Sequence, residues 1–435
     1  MTNYPTLPDF KTLSDKITLY TQLKHEYGAR GIDNILRKLD RALKSAQHDL
    51  QRLPADRELA AKEPSGLKEI RALRPKGPRL ISSPTAREYA PRLEGALLAR
   101  MAGCTLGAPV EMWDIKGMKE LATANGDAFP PVNYWSRLPF PYHTRYGVSK
   151  CEEYTRSGMK NVPVDDDIVY TLLGLLIVEK YGPGFSTGDV GKAWLKYLPT
   201  ACTAEDIALK NLKASVPATR AAEKENPYCE WIGADIRADP WGYMAPGWPE
   251  RAAEMAWRDA YLSHRRNGIY GEMYFAAVIA AAFVVDDPVE ALKIGLSEIP
   301  RDCSLAKAVR WALKVAPKIR NYKQARAMVD KHFPGMSTVH TINNTCLTIW
   351  GVTIGGTDVT KVIGETVAMG YDNDCTAATA GSIVGAVVGR KGVPKQWHCP
   401  FNNIVNSYFY SNPKFRIDDL VRRFTKQAMR IVKKA

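Results

Sequence analysis

Apolar residues recur every three to four positions along most of the chain, a spacing that predicts α-helices. The pattern is clear over residues 14–50, where charged residues separate the apolar positions. From about residue 93 the sequence turns to small and apolar residues, and helical spacing dominates. The further helices that it predicts span residues 93–104, 165–181, 189–197, 249–264, 270–285, 288–297, 303–315, 322–332, 340–351, 358–369, 376–389 and 416–433. Strand patterns are few and weak, so we expect an all-α fold: a compact multi-helix domain with an N-terminal helical extension.

Prolines interrupt the helical pattern over residues 54–92, which include the segment "PKGPRLISSP". Such a stretch is typical of a linker or an irregular arm. We therefore divide the chain into two parts. Residues 1–92 form a helical extension with a proline-rich basic arm, and residues 93–435 form the main domain with a basic C-terminal helix.

Composition indicates a globular protein, because 45% of the 435 residues are hydrophobic and 24% are charged. The apolar stretch at residues 172–179 is far too short to cross a membrane. The eight cysteines include no Cys-x-x-Cys pair, so neither a zinc site nor a disulfide framework is indicated. The N-terminus lacks the layout of a signal peptide. We expect a reduced, cytoplasmic protein without membrane contact.

The net charge of +14 is concentrated near the two ends of the chain. Residues 24–100 hold 17 Lys and Arg against 10 Asp and Glu, and residues 414–435 hold 8 against 2. One interpretation is contact between the basic N-terminal arm and a polyanion such as nucleic acid. The other is a pair of solvated helical faces, which we favour because no aromatic–basic interleaving or binding motif accompanies the charge.

Two carboxylates, Asp372 and Asp374, stand directly before a run of small residues. Within that run Gly381, Gly385 and Gly389 are spaced by four, which places them on one helical face. Each glycine weakens a helix by about 1 kcal/mol relative to alanine, which is tolerated where another backbone comes very close. We therefore favour a tightly packed core helix for the glycines. A helix start needs one carboxylate as a cap, so capping does not explain the pair.

A second acidic cluster, Asp165, Asp166 and Asp167, begins another apolar helix. Such a cluster alone is equally typical of a solvated helix start. Two clusters that each open a small-residue or apolar helix are more specific. Carboxylates in this number suit Mg²⁺, Mn²⁺ or Ca²⁺ rather than zinc, and together they can hold two cations.

A third segment, "MAGCTLGAPVEMW" at residues 101–113, ends in a single acid after a proline. Gly103 and Gly107 are again four apart, and Glu111 follows Pro109. Alone, this segment is typical of an ordinary helix end.

Four blocks, taken in order, resemble the ADP-ribosylglycohydrolase family of the dinitrogenase-reductase-activating and ADP-ribosylarginine hydrolase type. They are "GCTLGAPVE" (103–111), "VDDDIVYTLLGL" (164–175), "IGADIRADPWG" (232–242) with "LSHRRNGIYGEM" (262–273), and "GYDNDCTAATAGSIVGAVVG" (370–389). The resemblance covers roughly residues 93–410. It implies a compact all-α fold with a centre of two Mg²⁺ ions, for which Mn²⁺ can substitute.

The resemblance also implies roles for individual residues. The implied metal ligands are Asp165, Asp166, Asp167, Asp372 and Asp374. The implied catalytic residues are Glu111, as general base or water-orienting group, with Asp166 and Asp374. The implied substrate-binding residues are Gly233, Arg237, His264, Asn267, Gly268, Tyr270 and Gly271. Core packing is the alternative for Tyr270, and a cation at a helix C-terminus is the alternative for His264.

The chain departs from the family pattern at four positions. Asp165 and Ile168 stand where the first metal motif often has threonine, and Cys375 replaces the threonine of the second motif. The glycine-rich turn begins with Ile232 instead of asparagine. Aspartate can ligate in place of threonine, whereas cysteine is a poor ligand for Mg²⁺.

The resemblance implies a Mg²⁺-dependent hydrolase that cleaves the C1″ N- or O-glycosidic bond of an ADP-ribose conjugate. Carboxylates around the sugar suit the cationic transition state of such a reaction. The partner is a protein, nucleic acid or small molecule that carries ADP-ribose. The alternative is a binding protein that keeps the fold and the nucleotide cleft without turnover.

Overall fold

The computed structural model describes residues 4–433, and this part of the chain is mainly helical with almost no sheet, which confirms the all-α prediction. Its α-helices are α1 (Phe10–Glu26), α2 (Ile32–Arg52), α3 (Arg57–Lys62), α4 (Leu67–Leu73), α5 (Ala86–Gly107), α6 (Ile115–Asn125), α7 (Asp166–Tyr181), α8 (Thr187–Tyr197), α9 (Thr203–Lys213), α10 (Asp239–Met244), α11 (Pro249–Ala260), α12 (Asn267–Ala282), α13 (Pro288–Gly295), α14 (Ser304–Val315), α15 (Tyr322–His332), α16 (Thr341–Gly355), α17 (Val359–Ala368), α18 (Asn373–Val388) and α19 (Ile417–Val432).

The strands within residues 4–433 form two short antiparallel hairpins. Strands β1 (Thr144–Arg145) and β2 (Ser149–Lys150) make the first, and β3 (Ile404–Asn406) and β4 (Lys414–Arg416) make the second. Within the described residues, no helix is both long enough and apolar enough to span a membrane.

The chain divides into two compact units between Ala61 and Lys62. In the described part of the first unit, α1 and α2 contain no buried residue. Asp9 caps α1 by accepting a hydrogen bond from the backbone N–H of Thr12 at 2.9 Å. The division that we predict after residue 92 stays a prediction; residue 92 itself lies inside α5.

In the second unit, α5 and α18 are packed backbone to backbone. A Cβ atom on Gly103 would lie 2.2 Å from the carbonyl oxygen of Ala377, and one on Gly385 would lie 2.3 Å from that of Gly95. Only glycine permits these approaches, since a real Cβ needs about 3.5 Å. The glycines therefore belong to a tightly packed core helix, as the sequence favours.

The same helix pair positions two acidic segments. A Cβ on Gly107, at the end of α5, would lie 2.5 Å from the Cα of Asp374 at the start of α18. Just beyond Gly107, the backbone N–H of Met112 donates to the carbonyl oxygen of Tyr371 at 3.0 Å. Glu111 is thereby held beside Asp372 and Asp374.

Arg100 of α5 brings the start of α7 to the same place. Its fully buried guanidinium donates to the Thr171 hydroxyl at 2.9 Å and to the backbone carbonyl of Asp167 at 2.8 Å. It also donates to the carbonyl oxygen of Ile236 at 2.7 Å, in the segment that follows Gly233. One buried arginine thus joins three segments around the candidate site.

The proline-rich stretch is not a free linker from residue 62 onward. The Trp257 indole donates to the carbonyl oxygen of Ser65 at 2.9 Å, and the Tyr270 hydroxyl donates to that of Pro64. Helix α5, which follows this stretch, starts earlier than predicted, at residue 86 instead of 93. The reason is a capping box, in which Thr85 and Glu88 bond each other's backbone N–H groups.

Candidate active site

The two acidic clusters, which are about 200 residues apart in the sequence, meet in the folded chain. Possible ligand atoms of Asp167, Asp374 and Cys375 lie within 4.8 Å of one another. Those of Glu111, Asp372 and Asp374 also lie within 4.8 Å of one another. The structure therefore brings together the residues that the sequence marked as metal ligands and the acid that it placed beside them.

One carboxylate of each cluster stands at the capping position of a helix, but only one of the two makes a capping bond. Asp165 caps α7, because its side chain accepts from the backbone N–H of Asp167 at 3.2 Å. Asp372 stands at the same position before α18 but makes no capping bond with its side chain. The positive end of the helix dipole favours an anion there. Asp372 is therefore placed as a helix cap yet leaves its carboxylate available.

The backbone before Asp372 is held in an unusual conformation. Gly370 and Tyr371 both have positive φ, at 72° and 62°. For tyrosine this conformation is strained, at a cost of roughly 1–3 kcal/mol. The Tyr371 hydroxyl donates to Asp330 at 2.5 Å, and the guanidinium of Arg326 lies 4.1 Å from the Tyr371 ring centre. These contacts hold the turn that aims Asp372 into the site.

Three carboxylate oxygens of the centre are buried and, among the described residues, have no hydrogen-bond partner: Asp167 Oδ2, Asp372 Oδ1 and Asp374 Oδ1. An unpaired buried acceptor costs about 1–3 kcal/mol, and more when it is charged. Divalent cations are suitable partners for such oxygens, because these donors are of the hard type that Mg²⁺ and Mn²⁺ prefer. The residues therefore fit a divalent cation.

Burial and mutual repulsion raise the pKa of these acids. Burial, together with the charge of Asp372, raises the pKa of Glu111 to about 7. Burial and the charge of Asp165 raise the pKa of Asp166 to about 7. Burial raises the pKa of Asp374 well above its usual range. The centre therefore holds protons in the absence of a cation and releases them when a cation binds.

An arginine that the sequence did not single out enters this centre. The β1–β2 hairpin carries Arg145, whose Nη2 lies 3.0 Å from Glu111 Oε2, 3.0 Å from Asp165 Oδ2 and 3.4 Å from Asp374 Oδ2. Beside it, the Tyr146 hydroxyl donates to Asp166 Oδ1 at 2.7 Å. The segment lies outside every motif of the sequence, so no signal there pointed to it.

The carboxylates face a cavity of about 110 Å³. Its lining residues include Glu111 and, from the two clusters, Asp166, Asp372 and Asp374. The remaining lining residues are Tyr146, Cys202, Thr203, Glu205, Trp231, Ile232, Gly233, Ile236, Val339 and Cys375. Gly233 is thus at the cavity wall, and the other six predicted substrate-binding residues are not among those that line it.

The absence of a side chain at Gly233 leaves room for a neighbouring carboxylate. A Cβ there would lie 2.3 Å from Oε1 of Glu205, another acid that sequence reasoning missed. Burial raises the pKa of Glu205 to about 7. The acidic character of the cavity therefore extends beyond the two predicted clusters.

Arg237 is occupied by ion pairs within the protein. Its guanidinium is fully buried and lies 2.7 Å from Glu205, 2.5 Å from Asp259 and 3.4 Å from Glu272. Because its donors face carboxylates of the chain, Arg237 supports the wall behind Gly233 in this structure.

His264 and Asn267 are also buried among partners of the chain. His264 Nδ1 is 2.8 Å from the Ser263 hydroxyl, and burial lowers the pKa of the imidazole well below its usual value. The amide of Asn267 donates to Glu63 at 3.0 Å and to Glu230 at 2.9 Å. Burial therefore favours the neutral imidazole, and a role of His264 in substrate binding stays a prediction.

Tyr270 lies beside the segment that begins at residue 62, and the two remaining predicted glycines lie against other parts of the chain. The Tyr270 hydroxyl donates a hydrogen bond to the carbonyl oxygen of Pro64, and the Tyr270 side chain is buried in the core. A Cβ on Gly268 would lie 2.4 Å from the carbonyl oxygen of Cys229, and one on Gly271 would lie 1.9 Å from Asp235 Oδ1. Contact of these residues with a substrate stays a prediction.

The family model of the ADP-ribosylglycohydrolases matches residues 85–430. No curated protein is similar enough to count as a match. Among solved structures, the chain is similar to one titled "ADP-ribosylglycohydrolase-related protein complex", with 17% sequence identity and a TM-score of 0.46. That similarity covers 79% of this chain and 100% of the other.

Proposed function

The chain belongs to the ADP-ribosylglycohydrolase family, and on this basis we propose that it hydrolyses the glycosidic bond between C1″ of ADP-ribose and a nitrogen or oxygen atom of a conjugate. The observation that supports the proposal most strongly is the meeting of Glu111 with both aspartate clusters at one cavity. Three carboxylate oxygens of these clusters lack partners within the described chain. A core packed only for stability has no use for so many acids in contact.

Asp165, Asp166, Asp167, Asp372 and Asp374 are the residues that we propose to hold divalent cations, Mg²⁺ or in its place Mn²⁺. The family resemblance implies two ions. When bound, such ions order the ribose hydroxyls and polarise a water molecule. Cys375 lies among these ligands, and its soft sulfur adds little affinity for Mg²⁺.

Glu111 is the proposed general base. Its carboxylate lines the cavity beside the proposed cation ligands Asp372 and Asp374, where it can accept a proton from a water molecule. The oxygen of water attacks C1″, the bond from C1″ to the leaving nitrogen or oxygen breaks, and Glu111 takes the proton of the water. Glu111 then passes that proton to the departing nitrogen or oxygen, so that one water molecule is divided between ADP-ribose and the freed acceptor. The surrounding carboxylates stabilise the positive charge that develops on the sugar.

The small volume of the cavity limits which part of the substrate can enter it. A volume of about 110 Å³ is smaller than the roughly 300 Å³ that drug-sized ligands need. We propose that the ribose end enters the acidic cavity and that the diphosphate lies toward the backbone at Gly233. Arg237, His264, Asn267, Gly268, Tyr270 and Gly271 would then act behind this wall, as supports of the binding surface.

A binding protein without turnover is the second candidate. Cys375 in the second metal motif favours it, and so does Arg145, whose guanidinium takes up oxygens of three acids in the centre. Against it stand the five aspartates and Glu111, since a chain that had lost catalysis would be expected to lose carboxylates first.

The test is release of ADP-ribose from arginine-, serine- and DNA-linked conjugates, with Mg²⁺ and after chelation. We expect metal-dependent release from at least one conjugate and its loss in Glu111→Gln and Asp374→Asn. Asp286→Asn, which removes a carboxylate that is 95% exposed, serves as the control. Full turnover by both site variants would refute the assignment. A metal-dependent thermal shift with ADP-ribose but no release would favour the binding protein.

A further inference from the structure

Arg145 brings a positive charge to the place where the carboxylates of both clusters meet. Its Nη2 reaches Glu111 after α5, Asp165 before α7 and Asp374 in α18. We propose that this guanidinium takes the place of one of the two cations implied for the family, so that this chain holds a single divalent ion. The inference rests on the proposed function, because it presupposes that the acidic centre binds a cation.

The contacts of the guanidinium resemble those of a bridging cation. One nitrogen bonds acids from three separate segments, while Nη1 donates to the carbonyl oxygen of Ala108 at 2.7 Å. An arginine can satisfy several acceptors at once because its donors point outward from a rigid plane. A cation that needed the same oxygens of Glu111, Asp165 and Asp374 would have to displace it.

The hairpin that carries Arg145 is fixed against the metal motif. Tyr146 and Gly147, with φ of 52° and 67°, form its turn, and Arg145 pairs with Ser149 across the strands. The Ser149 hydroxyl accepts from the backbone N–H of Val164 at 3.0 Å, next to Asp165. Moving Arg145 aside therefore requires several contacts to break together.

The fixed hairpin also limits the side chain itself. The Arg145 side chain is 18% exposed, and the Tyr146 hydroxyl next to it is bound to Asp166. Displacing an arginine from buried carboxylates leaves charges unpaired, which is strongly unfavourable unless a new partner arrives.

What Arg145 leaves free includes one complete group of possible ligands. Asp167, Asp374 and Cys375 have possible ligand atoms within 4.8 Å of one another, and Arg145 bonds only Oδ2 of Asp374 among them. In the other group that contains Asp374, Arg145 bonds both Glu111 and Asp374 and leaves only Asp372. This division gives one guanidinium and one divalent ion on either side of a shared aspartate.

The test is a Mn²⁺ titration of the full-length, chelator-stripped protein, with unbound Mn²⁺ measured by electron paramagnetic resonance. We expect one Mn²⁺ per chain in the natural protein and two in Arg145→Gln, whose frozen spectrum should show spin coupling between neighbouring ions. Arg137→Gln removes an exposed arginine of the same segment and should still bind one.

The outcomes separate the inference from the proposed function. Two ions in the natural protein, or one ion in both it and Arg145→Gln, would overturn the inference and leave the hydrolase proposal standing. No bound ion in any variant would overturn both. If Arg145→Gln fails to fold, the number of ions in the natural protein decides the question alone.

Discussion

Adding one methyl group at the end of α5 should displace the catalytic centre. Gly107 has φ of −75° and ψ of −42°, so alanine fits its backbone conformation. The new Cβ would, however, lie 2.5 Å from both the Cα and the backbone nitrogen of Asp374. Carbon atoms pack at about 3.5–4.0 Å, so α5 and α18 must separate there by about 1 Å.

Two terms set the expected stability of Gly107→Ala. Overpacking costs roughly 1–3 kcal/mol, whereas alanine favours a helix over glycine by about 1 kcal/mol. The net loss is therefore at most about 2 kcal/mol, and the protein should stay folded. The larger effect falls on function, because a displacement of about 1 Å in a catalytic group can cost about 100-fold in rate.

Chemical denaturation, Mn²⁺ affinity and turnover together test this prediction. Gly117→Ala in α6 is the matched control, since its Cβ would meet only Asp114 Oδ1, at 3.2 Å, and the tip of Trp113. We expect the control to keep full metal affinity and rate. If Gly107→Ala binds Mn²⁺ and turns over as the natural protein does, the helix contact does not set the geometry of the centre.

Two further predictions concern pH and the N-terminal unit. The pKa values of Glu111 and Asp166, about 7 in the folded chain, lie above their ordinary values near 4, so the folded state holds these protons more tightly. Stability of the metal-free protein should therefore fall between about pH 4 and pH 7, and Mg²⁺ should raise the melting temperature more at pH 8 than at pH 5; equal shifts would contradict this. Removing residues 1–61, whose helices α1 and α2 bury no side chain, should leave the melting temperature within a few degrees. If the residues contact a polyanion, their removal should also lower salt-sensitive DNA binding, whereas unchanged binding would leave the solvated-face interpretation.

The helices and the two aspartate clusters were predictable because their signals are local. Helical spacing and acids at a helix start are visible within a few residues, and so was the glycine spacing of α18. That Asp167 and Asp374 meet was not visible locally. The order of the four blocks implied it, through the resemblance to a family.

Arg145 and Arg237 show why the ion pairs in and around the site could not be predicted from the sequence. Arg145 lies in a two-stranded hairpin of a few residues, and no spacing in the sequence indicates which acids such a turn will reach. Arg237 stood in a promising glycine-rich block, yet its partners Glu205, Asp259 and Glu272 come from three different helices. A charged residue in a motif does not reveal whether the chain itself already supplies its counterion.

The glycines between α5 and α18 and the pair Asp372 and Asp374 act together in building the centre. Close packing of α5 on α18 forces Glu111 against Asp372 and Asp374, where like charges repel and burial adds to the cost. The helix contact must therefore stabilise the fold enough to offset the cost of burying these acids, which hold protons at low pH and repel one another as they ionise. Arg145 relieves part of it from within the chain. The three oxygens that stay unpaired still carry an unfavourable free energy of burial. A cation that binds them would remove this free energy, which would add to its affinity.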